Sequence, residues 1–253
     1  MVAHVTTPAG AELHRLPPWV TLVRAPNPGP MTLEGTNTWV LRPPGAREAV
    51  VIDPGPSDEG HLAAVAAHAP VAAVLVTHGH PDHVEGVERL LELLGGVPGT
   101  VPPGLQRFET PGHTADSVCF HVRVGDDEAI FTGDTILGRG TTVVAWPDGD
   151  LGAYLESLDR LAEYQGVPVL PGHGPALADC AAAAQYYLRH RLARLEQVRE
   201  AVTAGARDAD AVVERVYADV DRALWPAAHW SVQAQLEYLR RESQPTRTGL
   251  DEP

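Results

Sequence analysis

Lysine is absent from this chain. All 19 basic residues are arginine, and 33 carboxylates outnumber them, for a formal charge of −14 over 253 residues. Residues 1–180 hold 9 Arg against 22 acids, whereas residues 181–253 hold 10 against 11. Binding to a nucleic-acid backbone leans on clustered positive charge, so the bulk of this surface should repel one. Cysteine is nearly absent too. Cys119 and Cys180 are the only two and neither belongs to a CxxC pair, which excludes a disulfide framework and leaves no basis for thiolate-held zinc. No apolar run approaches the roughly 20 residues that cross a bilayer. Met1 to Leu16 shows no basic start followed by a greasy stretch, so no signal peptide is expected. The expectation is a cytoplasmic protein with no membrane partner.

What is present is an ordinary globular balance, with 44% hydrophobic and 21% charged residues, which argues against disorder. The first two-thirds alternates short β-branched runs with amphipathic stretches. Strands are expected at Thr38–Leu41, Ala49–Asp53, Val71–Thr77, Val118–Val124, Ala129–Thr132 and Val167–Leu170. Ser57 reads as the N-cap of a helix whose buried stripe is Leu62, Val65 and Ala66. Val84, Val87, Leu90, Leu91 and Leu94 mark a second helix ending at Gly95-Gly96, and Leu151, Tyr154, Leu155, Leu158 and Leu161 a third. After Pro175 strand signals nearly vanish. Helices are expected over Ala178–Val202, Asp208–Val220 and Ser231–Arg241, with a frayed tail over the last ten residues. The expected division is a larger domain over 1–178 and a small helical one over 179–253. No stretch of sequence recurs.

The chemistry is concentrated in His78, His80, Asp82 and His83, four donors within six residues directly after the Val71–Thr77 strand. A tight strand-to-helix turn lets alternate residues converge, and Pro81 is tolerated in a first helical turn, whose N–H groups lack intrahelical acceptors. Neutral imidazole and carboxylate are donors that suit zinc. His113, Asp134 and His173 each follow a glycine at a strand end or turn, where backbone can approach a crowded site closely. Together the seven make a full ligand set. Asp53 closes its strand. Asn37 and Arg139 are candidates to meet substrate, Arg139 because it lies five residues beyond Asp134. His14, His61, His68 and His121 read as surface or packing residues, and Arg189, Arg191, Arg194 and Arg199 as a solvated helix face salt-bridged to Glu196 and Glu200.

The order HxHxDH, then His, Asp and His, resembles the metallo-β-lactamase superfamily. Asn27-Pro28-Gly29-Pro30-Met31-Thr32, Gly35-Thr36-Asn37-Thr38-Trp39 and the tail beginning Tyr187-Leu188-Arg189-His190-Arg191 are similar to its β-lactamase-like protein 2 branch, whose members carry a winged-helix-like C-terminal domain. The resemblance implies a four-layer αβ/βα sandwich, an α/β fold, followed by that small helical domain. It further implies two zinc ions per chain: one on His78, His80 and His113, a second on Asp82, His83 and His173, with Asp134 bridging and Asp53 orienting ligands from behind. A water shared by the two ions would be the nucleophile, with Asp82 and Asp134 the catalytic carboxylates. Only 29 residues separate His83 from His113, fewer than relatives commonly place there, so a trimmed sheet edge and a more open pocket are expected. Three functions follow as expectations. The first is hydrolysis of a small-molecule acyl bond (a thioester, lactone or β-lactam-like ring), favoured by the acidic surface. The second, also implied by the resemblance, is phosphodiester cleavage of single-stranded RNA. The third is a non-catalytic metal-binding module. Oligomeric state is not legible in the sequence.

Overall fold

A computed structural model describes residues 10–244 of the chain. Residues 1–9, part of the stretch in which no signal peptide is expected, and all but the first of the ten residues expected as a frayed tail lie outside the described residues. Two four-stranded sheets organise the remainder. The first joins β1 (Val20–Arg24), β2 (Asn37–Leu41), β3 (Ala49–Ile52) and β4 (Val71–Leu75) in that order; only the β3–β4 pair is parallel. The second joins β5 (Leu105–Glu109), β6 (Val118–Val124), β7 (Asp127–Gly133) and β8 (Val169–Pro171), again with only the last pair parallel. The two halves share one connectivity although their sequences do not repeat. In each, the parallel pair is linked through a helix, α1 (Glu59–Ala66) in the first and α4 (Leu151–Leu161) in the second, as parallel crossovers require.

Side-chain alternation builds the layers. Trp39, Ile52, Phe120, Val122 and Phe131 meet between the two sheets. The opposite face of the first sheet buries Val40, Val51 and Val71 against Leu62 of α1 and Leu90 of α3 (Val87–Leu94). The opposite face of the second buries Cys119 and Ile130 beneath α4 and α5 (Cys180–Thr203). This is the expected αβ/βα sandwich. Cys119 and His121, on the face of β6 away from the inter-sheet core, are buried as well, because helices cover that side.

Local departures from the sequence reading have local causes. Asp58, not Ser57, caps α1, its Oδ1 accepting from the His61 N–H at 2.7 Å. The helix expected from Val84 is broken into α2 (Pro81–Val84) and α3, because the Gly86 N–H leaves the helix to donate to Gly55 O at 2.9 Å. The edge strands β1 and β5 were not visible as strands. β5 buries no residue fully, so its sequence Leu-Gln-Arg-Phe-Glu shows little apolar pattern. It supplies a strand to the edge of the second sheet within the short His83–His113 interval. Helices α5, α6 (Ala209–Val216) and α7 (Trp225–Glu242) form the C-terminal unit around Val198, Val212, Val213 and Val232. Its boundary expected at 178 falls just before α5, yet packing is continuous there: Cys180, Ala183, Ala184, Tyr187 and Leu195 of α5 belong to the core under the second sheet.

Candidate metal centre

Every donor sits at the same edge of the sandwich, just past the C-terminal ends of the strands. Asp53 follows β3, the HxHxDH run follows β4 and enters α2, Asp134 follows β7 and His173 follows β8. His113 lies in the turn between β5 and β6. Two glycines make this crowding possible. A Cβ on Gly172 would lie 2.5 Å from Asp134 Oδ1, and one on Gly133, whose φ is +48°, would lie 2.3 Å from Thr77 Oγ1.

Within that space the donors form overlapping groups. His78, His80 and His113 converge, as do Asp82, His83 and His173; a third group joins His78, His83 and Asp134, and within each group the ligand atoms lie within 4.8 Å of one another. His80 Nδ1 is 3.0 Å from His78 Nε2 and 3.1 Å from His113 Nε2. His173 Nε2 is 3.1 Å from Asp82 Oδ2 and 3.3 Å from His83 Nε2. Asp134 lies between the two triads, with Oδ1 3.5 Å from His83 Nε2 and 3.4 Å from His173 Nε2, while Oδ2 is 3.8 Å from His113 Nε2. The seven expected ligands are thus brought together.

The outer nitrogens fix which ring atoms face inward. His83 Nδ1–H donates to Asp53 Oδ2 at 2.8 Å. Asp53 also accepts from the Thr77 N–H (2.8 Å) and hydroxyl (2.7 Å), and that hydroxyl oxygen is 3.1 Å from His78 Nδ1, able to accept its proton. His113 Nδ1–H donates to Val143 O at 2.6 Å and His173 Nδ1–H to Gly35 O at 3.3 Å. In neutral rings the inner Nε2 atoms are then left as lone pairs. His78, His80 and His113 then face one another with at most one proton to share, and the buried Asp134 Oδ1 has no hydrogen-bond partner. A cation resolves both problems, so the residues fit a metal.

The electrostatics agree. Burial, reinforced by the charge on His83, holds His78 well below the ordinary imidazole range. Burial also depresses His173, but Asp134 and Asp82 outweigh it and raise the imidazole to about 11. Asp134 is held well below the usual carboxylate range, burial being overcome by His173 and His83. The cavity favours positive charge at the position between these carboxylates.

The remaining candidates divide. Asp53 stands behind His83 and His78 as expected. Asn37, expected to line the pocket, does not reach it: it is fully buried, and its amide donates to Pro171 O (3.0 Å) and Gly174 O (2.9 Å), tying β2 to the turn that carries His173. Arg139 does line the cleft above the metal site but is paired with Glu34. The expected solvated face of α5 is half wrong. Arg199 pairs with Glu196 and Glu242 in solvent, but Arg191 and Arg194 are buried. His61 is a packing residue, as expected, 3.0 Å from both Thr38 Oγ1 and Pro54 O.

Comparison with known proteins fits this geometry. The metallo-beta-lactamase superfamily profile matches residues 31–109 and 93–173, and that of the beta-lactamase associated winged helix domain matches residues 209–249. An atrochrysone carboxyl ACP thioesterase from Aspergillus chevalieri is 35% identical over 76% of this chain and 68% of its own length. A beta-lactamase-like protein 2 homolog from Drosophila melanogaster is 29% identical over 85% of this chain and 86% of its own. A beta-lactamase domain protein from Burkholderia ambifaria shares the fold, with a TM-score of 0.72 at 24% identity, covering 97% of this chain and 94% of its own. The chain belongs to the metallo-beta-lactamase superfamily, whose members bind divalent metals, and carries that superfamily's associated winged-helix domain behind its donor-rich sandwich.

Proposed function

We propose that the protein is a two-metal hydrolase of acyl bonds, with zinc at both positions and a thioester as the scissile bond. The observation that carries this reading is the convergence of seven donors into two triads with Asp134 between them. Two of them, His113 and Asp134, line a cleft of about 510 Å³, a size suited to a small-molecule ligand. The thioesterase name of the Aspergillus relative supports the choice of bond. His78, His80 and His113 would hold one ion, and Asp82, His83 and His173 the other. When bound, such a pair acidifies water and polarises the scissile carbonyl. The residues do the rest. Asp134 presents one oxygen to each triad. Asp82, whose Oδ2 accepts from the Thr36 hydroxyl at 3.3 Å, keeps a side chain 27% exposed and would take the proton that an attacking water gives up. Leu33, Leu137, Met31 and Pro30 give the cleft an apolar wall.

RNA cleavage is the weaker reading, because residues 1–180 carry 22 acids against 9 Arg. The test is a hydrolysis screen on protein whose metal content is measured in parallel. Thiol release from a thioester panel is the expected result. Cleavage of a labelled RNA oligomer without thiol release, or no turnover by metal-loaded protein, overturns the proposal, the latter in favour of a binding module.

A further inference from the structure

The cleft has a second end. His113 and Asp134 line it on the metal side, and His190, Arg191 and Arg194 of α5 line it on the side of the C-terminal unit. Arg191 is 4% exposed and Arg194 3%. Among the described residues no carboxylate lies within the 4.0 Å of an ion pair from either guanidinium. Arg191 donates to Thr142 O and Arg194 to Val216 O. Their guanidinium carbons stand over aromatic rings, Arg191 5.3 Å from the Tyr154 centroid and Arg194 4.3 Å from that of Tyr217. Beyond these contacts the pair is unsatisfied. Nε of Arg191, Nε of Arg194 and Nδ1 of His190 are all buried without a partner.

Two buried cations lacking a counter-charge are costly, and a fold retains them when something negative completes them. Other groups around the cleft do not supply it. Asp219 and Asp221 are exposed on the rim, and Asp221 caps the Ala223 N–H. His190 is pushed down to about 3, by burial first and then by Arg191 and Arg194, so it adds no charge of its own at neutral pH. Arg139, nearer the mouth, is already neutralised by Glu34.

We propose that Arg191 and Arg194 form an oxyanion-recognition subsite that takes a carboxylate or phosphate carried by the substrate, while its scissile carbonyl lies beside His113 and Asp134. The inference rests on the acyl-hydrolase reading for the identity of the bond, but not for the anion. Arg guanidinium is the group suited to such planar or tetrahedral oxyanions. The two residues differ in role. Arg191 also holds Thr142, whose hydroxyl lies 3.3 Å from His113 Nδ1, so it doubles as a positioning residue for a ligand. Arg194 touches no part of the metal site and is the specificity residue.

The test has two arms on the full chain. Metal-loaded protein is assayed with three thioesters of one neutral thiol: an acyl chain ending in a carboxylate, its methyl ester, and the analogue ending in a phosphate. The expected kcat/KM is roughly tenfold or more higher for one or both anionic substrates than for the methyl ester, as a charged hydrogen bond implies. The preferred anion identifies the source. In Arg194→Gln this ratio should fall to near one, whereas Arg199→Gln, which alters a solvent pair on the same helix, should keep it. In the second arm, metal-free protein is titrated with glutarate and with inorganic phosphate; binding to wild type and its loss in Arg194→Gln are expected. A ratio near one in wild type, or a ratio that survives in Arg194→Gln, overturns the proposal. If Arg194→Gln does not fold, the wild-type ratio and anion titration decide, with Arg194→Lys expected to keep partial preference. Anion binding without thioester hydrolysis would overturn the acyl-hydrolase reading and leave the subsite standing; the reverse would do the opposite.

Discussion

Replacing Asp53 by Asn removes one charge and one acceptor from a position where three donors meet. Asp53 accepts from the Thr77 N–H, the Thr77 hydroxyl and His83 Nδ1–H, all within 2.8 Å, and is itself buried. An amide has a single acceptor oxygen. In either orientation its NH2 faces the Thr77 N–H or the His83 Nδ1–H, so one donor must turn away. If His83 yields, its proton moves to Nε2, the atom that faces Asp82, Asp134 and His173, and that nitrogen is lost as a ligand. Losing one charge-assisted hydrogen bond behind a ligating imidazole weakens metal binding by roughly tenfold to a hundredfold, or about 1.4–2.7 kcal/mol. The effect should be unequal. His78 is reached only through Thr77, and His113 leans on Val143 instead, so the ion at the first triad should weaken less than the ion at the second. Competition with a chromogenic chelator, with total metal measured by elemental analysis, reads both equivalents. Two equivalents bound by Asp53→Asn within threefold of wild-type affinity, with near-UV circular dichroism unchanged, would refute the assigned arrangement.

Asp134→Ala should lower turnover more than about a hundredfold while leaving far-UV circular dichroism unaltered, since it removes the carboxylate between the triads; full activity in that variant would contradict the dinuclear reading. Gly172→Ala places a methyl 2.5 Å from Asp134 Oδ1 and 2.7 Å from His83 Cε1, so urea denaturation should show a loss of about 1–3 kcal/mol together with reduced metal content. Tyr154→Phe strands Thr135 O, which now accepts the Tyr154 hydroxyl at 2.6 Å, and should cost about 1–3 kcal/mol in the same assay. Burial pushes the Cys119 thiol up to about 12 and Cys180 well above its ordinary value, so both stay protonated at neutral pH. Neither should react with a thiol reagent at pH 8 until the protein unfolds.

The donors were legible because each is announced locally: a run of histidines after an apolar strand, or a glycine immediately before His113, Asp134 or His173 at a strand end. Which donors form a triad was not legible from spacing, since His113 and His80 meet only when the second sheet folds onto the first. Asn37 illustrates the opposite failure. It is a candidate to meet substrate from the sequence, but its side chain turns inward to hold Pro171 and Gly174, a direction set by partners far along the chain. Arg191 and Arg194 were read as solvated because glutamates follow at 196 and 200. Arg191 and Arg194 lie four and seven residues after Tyr187, and Val198 four after Arg194, so they fall on the buried stripe of α5, and only the tertiary packing shows that a stripe of Tyr, Arg and Val faces inward. The weak edge strand β5 was missed because an edge needs no apolar periodicity.

The long helix α5 has one consequence for how this chain can be divided. Its Tyr187 hydroxyl accepts from the Leu137 N–H at 2.9 Å, and Arg191 grips the Thr142 carbonyl. The segment between those anchors leads directly to Val143, whose oxygen steadies His113. A truncation ending at residue 178 would keep every one of the seven donors yet strip away the strut that aligns one of them. Such a fragment should still collapse around its sheets and still capture metal, but with a loosened first triad. The helical unit is therefore part of the scaffold of the metal centre rather than cargo appended to it.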